Sequence, residues 1–123
     1  MALFTDNAMD AGLNYISSTS GRLDICTQEP ATYTEATSTY TAGNKTPPTV
    51  GSPTNGDSSG RKVVISAITD GDITTTGTAT HWALVATTAT ELLATTSLSS
   101  SQSVTTGNTF TLAAIDITIP DPS

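Results

Sequence analysis

The sequence predicts an all-β fold, an antiparallel β-sandwich or jelly roll of about seven or eight strands behind a short N-terminal helix. Three observations predict it. Thr and Ser supply roughly a third of the residues; Thr is stiff at χ1 and favours extended backbone, while Ser competes for helical hydrogen bonds. Short runs alternate apolar and polar residues with period two. Breaks rich in Gly, Pro, Asn and Asp separate those runs at sandwich-like spacing. With 123 residues the chain has room for one modest core. It therefore divides into an N-terminal helical segment, 1–20, and a single β-sandwich domain, 21–123, carrying a long exposed loop at 43–60.

Thr5 or Asp6 caps the helix, in which Met9, Leu13 and Ile16 recur at i, i+4 and i+7 before Ser17 to Gly21 end it. So narrow a stripe lies either on the chain's own sheet or on a partner, and these three residues are candidate partner contacts. Residues 22 to 28 alternate, with Leu23 and Ile25 on one face and Asp24 and Cys26 on the other, as in a half-buried strand. After Pro30, Thr32 and Glu35 match a capping box, and a helical turn or two is expected to carry Tyr33 and Ala36 inward. Gly43 to Gly60 has no periodicity, and its Pro47, Pro48 and Val50 complete the candidate contacts.

Val63-Val64-Ile65-Ser66-Ala67-Ile68 has too few polar alternations for a strand with one wet face and is expected to be central, buried on both sides. Asp70-Gly71-Asp72 reads as a turn, with Ile73 to Thr76 a short edge strand. A hairpin follows, Thr80 to Ala86 and Glu91 to Thr95 joined by Thr87 to Thr90, in which Trp82, Leu84 and Ala86 share a face. Phe110 and Leu112 occupy even positions, whereas Ile115, Ile117 and Ile119 occupy odd ones. A straight strand cannot carry both sets inward, so a bulge or bend is expected at Ala113-Ala114, small because the kinked backbone is crowded. The alternative is that the strand crosses from one sheet to the other there. The expected core is Trp82, Leu84, Phe110, Leu112, Ile115, Ile117, Val63 and Ile65.

Charge argues against several functions. Eleven acids against four bases, Arg22, Lys45, Arg61 and Lys62, give a net charge of −7, which repels phosphate backbones and anionic headgroups. No nucleic-acid or membrane partner is expected. The opening Met1-Ala2-Leu3-Phe4-Thr5-Asp6 has neither a basic region nor a long apolar run, so no secretory signal is expected there. A lone Cys26 cannot form an internal disulfide. His81 is the single histidine and sits beside Trp82 in a strand, where a packing role outweighs that of a base; no Gly-x-Ser-x-Gly elbow accompanies it. Two His and Cys in total fall short of a zinc site. Asp70 and Asp72 do not continue into a calcium loop, and the glycines of 51–60 lack the Lys of a phosphate cradle. The chain is therefore expected to be no enzyme and to need no cofactor, metal or small-molecule ligand.

Gly21-Arg22-Leu23-Asp24-Ile25-Cys26, Glu29 to Ala36, Thr80-His81-Trp82-Ala83-Leu84-Val85 and the closing Gly107 to Pro122 give a pattern that resembles the small structural proteins of tailed-bacteriophage virions. The resemblance covers most of the chain outside 43–60. It implies a capsid decoration, or cement, protein located in the virion, bound to the major capsid protein or another virion protein and to copies of itself, often as a homotrimer. The alternative it leaves open is a head-fibre, collar or tail-associated module that recognises a host surface glycan through loop aromatics such as Tyr33 and Tyr40.

Overall fold

The computed structural model describes residues 5–120. It is an antiparallel β-sandwich fold with one helix. The helix α1, Asp6–Thr19, is followed by nine strands: β1 Arg22–Cys26, β2 Thr41–Lys45, β3 Thr54–Asn55, β4 Arg61–Ile65, β5 Ile68–Ile73, β6 Gly77–Ala86, β7 Glu91–Val104, β8 Thr109–Leu112 and β9 Ile115–Ile119. Six of them form one sheet in the order β7-β6-β1-β2-β5-β8, and three form a second in the order β3-β4-β9.

The two sheets are joined by a bent ribbon. β4 pairs with β9 through Ile65 and Ile115, and a few residues on β5 pairs with β8 through Ile68 and Leu112. Both chains of this ribbon change sheet together, one at Ser66-Ala67 and the other at Ala113-Ala114. The parity switch in the sequence is thus a sandwich corner, the second of the two expected geometries. All four corner residues are exposed, so the alanines are not small because of crowding. The run 63–68 is correspondingly two strands: Val63 and Ile65 are buried, while Val64 is only half-buried.

The main core lies between the sheets and gathers Leu23, Ile25, Ile65, Ile68, Ile73, Trp82, Leu84, Phe110 and Leu112, with Ile115 and Ile117 packed against it from the side. Val63 is also fully buried. At about 25 cal/mol per Å² of apolar surface, such aliphatic side chains supply most of what opposes chain entropy. Helix α1 belongs to this body. Thr5 caps it, accepting from the Ala8 N–H at 3.3 Å, Met9 and Leu13 are fully buried, and Ile16 packs on the core. Asp10 meets Arg61 of β4 at 2.8 Å.

β1 differs from the half-buried strand expected. It lies inside the six-stranded sheet, and Asp24 and Cys26 are as buried as Leu23 and Ile25. The far face is covered by the segment 28–40, which contains a π-helical turn, Glu35–Thr39. Cys26, Ala36, Ala83 and Val85 form a second small core there, with Tyr33, Tyr40 and Leu92 against it. The capping box is nearly as expected: the Glu35 N–H donates to the Thr32 hydroxyl at 3.1 Å, but the Glu35 carboxylate accepts from Ala31 N–H instead of Thr32.

Asp70-Gly71-Asp72 is no turn. It lies within β5, where Gly71 pairs with Phe110, and Ile73 ends that strand instead of starting an edge strand. A Cβ built on Gly71 would fall 2.2 Å from the Phe110 ring, so the glycine makes room for the aromatic to lie across the backbone. The hairpin of β6 and β7 is longer than its expected arms, 77–86 against 91–104. The loop 43–60 is also shorter than expected: Gly43 pairs with Ile25 and Ile73 inside the sheet, Val50 bridges to Ile65, and Thr54–Asn55 pairs with β4.

Candidate functional site

Of the six candidate contacts, the fold withdraws three and changes the standing of two more. Met9 and Leu13 are wholly inside, because the narrow stripe of α1 faces β4 and β6 of its own chain. Pro48 is buried, and Ile16 and Val50 pack on the main core with part of their surface left outside. Pro47, joined to Thr46 by a cis peptide bond, is exposed. Tyr33 and Tyr40 are half-buried against the second core and are not free loop aromatics.

The charged residues are sorted in a way that composition alone does not reveal. Each of the four cations is held by an acid of the same chain: Arg22 by Asp24, Lys45 by Asp70, Arg61 by Asp10, and Lys62 by Asp57 and Asp116. The Lys62 ammonium in turn holds the Asp57 carboxyl below its ordinary range. Asp6, Glu29, Glu35, Asp72 and Glu91 have no such cation among the described residues. The surface is therefore negative in excess, with its positive charge already matched.

The Arg22–Asp24 pair is partly internal. Asp24 is fully buried and receives two parallel bonds from Arg22, both 2.8 Å, and one from the Thr41 hydroxyl at 2.7 Å, while Arg22 also donates to the Thr37 carbonyl at 3.2 Å. Burial raises the Asp24 carboxyl above its ordinary value, and the bonds from Arg22 and Thr41 oppose that rise. Beneath the same segment, burial pushes the Cys26 thiol up to about 12, and its sulfur lies 3.6 Å from the Ala36 carbonyl. A thiol so placed is protonated and shielded, the reverse of a nucleophile's setting. His81 is half-buried, with Nδ1 2.9 Å from the Thr80 hydroxyl. Among the described residues no cluster of His, Cys, Asp or Glu is arranged to hold a metal ion, and no helix is long and apolar enough to cross a membrane.

Among the described residues, two depressions and a strand edge stand out. A recess of about 150 Å³ opens over Trp82, between Ser97 to Ser99 of β7 and the corner from Leu112 to Ile115. A wider groove of about 430 Å³ lies between the end of α1 and the β6–β7 turn, lined by Tyr15, Ser18, Thr19, Thr88 and Ala89. The edge is that of β7, the longest strand, which closes one end of the six-stranded sheet and has no neighbour on its outer side among the described residues. Its pairing with β6 is interrupted at Leu93 and again between Ser97 and Gln102. Neither the groove nor the edge was read from sequence. Tyr15 is the residue that could have flagged the groove, since it lies off the Met9-Leu13-Ile16 stripe of an amphipathic helix. Comparison with family models, curated proteins and solved structures finds no match to this chain.

Proposed function

We propose that this chain is a virion structural protein of a tailed bacteriophage, a decoration protein that binds the outside of the head shell and stabilises it through contacts with the major capsid protein and with copies of itself as a homotrimer. The observation that carries the reading is the outer strand β7. From Leu92 to Val104 it contains no charged residue and no proline, two of the usual devices that keep an exposed edge from adding another strand. Its two bulges interrupt the edge without closing it. A neighbouring chain that supplied an extended segment would satisfy the outward backbone groups and bury apolar surface that a thin core leaves partly open. Closed symmetry would then hide the edges. Size-exclusion chromatography with light scattering is expected to give a trimer, and co-sedimentation is expected to place the protein on purified capsids. A stable monomer that ignores capsids overturns the proposal.

The second reading, a head-fibre, collar or tail-associated module that binds a host glycan, is favoured by one side chain. Tyr15 is the exposed large hydrophobic residue among those described, and an open aromatic face can stack on a sugar ring. A glycan array probed with the wild type and with Tyr15→Ala separates this reading from simple cementing.

A further inference from the structure

The groove between α1 and the β6–β7 turn has a chemistry of its own. Tyr15 is 46% exposed, yet it is not loose: its phenol donates to Glu91 Oε1 at 2.6 Å, tying the helix to the first residue of β7. The residue is thus tethered through its phenol while much of its surface stays open to water, with a carboxylate at its hydroxyl end. Ser18 donates its hydroxyl to the Asn14 carbonyl at 2.7 Å, and Thr19 donates to the Tyr15 carbonyl. With their protons turned inward, these hydroxyls offer only acceptor lone pairs to the groove. An aromatic ring, the acceptor oxygens of Ser18 and Thr19 and, at the phenol end just outside the lining, the Glu91 carboxylate together suit a ligand that is positively charged and rich in hydrogen-bond donors.

Nothing in this chain supplies such a group. Arg22, Lys45, Arg61 and Lys62 are all engaged with acids elsewhere, and none of them lines the groove. A neutral sugar would leave the Glu91 carboxylate without a countercharge. A guanidinium has five donors and no acceptor, stacks flat on a tyrosine ring and meets a carboxylate with two parallel bonds, which a lysine ammonium cannot do.

We infer that the Tyr15–Glu91 groove is the seat of an arginine side chain carried by the protein on which this chain docks. The inference rests on the docking proposed above and names the chemistry of the contact. Glu91 supplies the countercharge, the Tyr15 ring the stacking surface, and the turn residues Thr88 and Ala89 the far wall.

The test is an NMR titration of the full-length, isotope-labelled protein with N-acetyl-argininamide, with its neutral isostere N-acetyl-citrullinamide, and with methyl glucoside. The arginine derivative is expected to shift the Tyr15 ring and the Thr88 and Ala89 amides saturably, and citrulline to bind more weakly. Glu91→Gln and Tyr15→Ala are each expected to weaken arginine binding about 3- to 5-fold. Both residues are at the surface, so resonances of the core report whether the variants keep the fold. Equal binding of arginine and citrulline, binding unchanged in Glu91→Gln, no saturable shift at the groove, or glucoside in its place each overturns the inference. Capsid co-sedimentation of Glu91→Gln keeps the two proposals apart. Undiminished docking by this variant removes the groove and leaves docking standing, whereas a groove that takes arginine on a protein that no capsid retains removes the docking.

Discussion

Asp24 shows what one residue can contribute when it is a charge buried inside the fold. Removing a carboxylate that holds Arg22 and Thr41 leaves a partly internal guanidinium uncompensated, so Asp24→Ala is expected to cost about 3–5 kcal/mol in urea unfolding. Asp24→Asn, which keeps the shape and some hydrogen bonds, is expected to cost less. The pH dependence follows from the raised carboxyl. The folded state binds that proton more tightly than the unfolded chain does, so the Asp24 contribution to stability grows as pH falls from neutrality through the raised folded value toward the ordinary aspartate value, and is lost again as pH rises. Wild type measured against Asp24→Asn is therefore expected to gain stability between about pH 7 and pH 4; a gap that narrows on acidification contradicts the assignment. Asp57, lowered by Lys62, works in the opposite sense but is common to both proteins and cancels in the difference. Gly71 makes the second case. In sequence it sits between two aspartates and signals a turn, because nothing local announces that Phe110, 39 positions on, needs the space above it. Gly71→Ala puts a methyl group against that ring and is expected to cost about 1–3 kcal/mol in the same assay.

Which elements the sequence announced depended on whether their signal was local. The α1 cap, the β6–β7 hairpin and the parity switch at Ala113-Ala114 are written in adjacent residues, and each corresponds to a feature of the fold. β2 has no such signature: Thr-Ala-Gly-Asn-Lys has little strand preference and is extended because β1 and β5 flank it. The depth of β1 was hidden for the same reason, since a covering segment supplied by 28–40 cannot be inferred from the alternation of 22–26. That segment is held by its own capping bonds, the Thr27–Tyr40 backbone bond, Arg22 and a few partly buried rings, which suits a unit able to open before the sheets separate. Cys26 beneath it is a ready reporter. Native protein is expected to react slowly with a thiol-specific disulfide reagent, and Tyr33→Ala is expected to speed the reaction about tenfold beyond what its loss of global stability explains. Immediate stoichiometric labelling of the wild type, or acceleration only in step with global stability, contradicts local opening of this segment.

At the scale of the whole molecule, the matching of the four cations leaves Asp6, Glu29, Glu35, Asp72 and Glu91, among the described residues, to set the field that another protein meets. Two copies of a chain with net charge −7 repel one another, and at low ionic strength that repulsion reaches across about 30 Å, against about 8 Å at physiological salt. Backbone pairing along β7 and burial of aliphatic surface are short-ranged and nearly indifferent to salt, so self-association is expected to strengthen as salt is added. Docking on a partner that presents arginine has the opposite sign, because screening weakens the attraction that steers and holds it. The two contacts proposed for this chain are thereby separable without altering a residue: light scattering from about 10 to 300 mM salt is expected to show the oligomer growing, while co-sedimentation with capsids over the same range falls. If both rise together, the capsid contact is apolar and the acidic surface has no part in it; if both fall, copies of the chain are held to one another by charge, which requires ion pairs to exchange between chains from the intramolecular partners they have here.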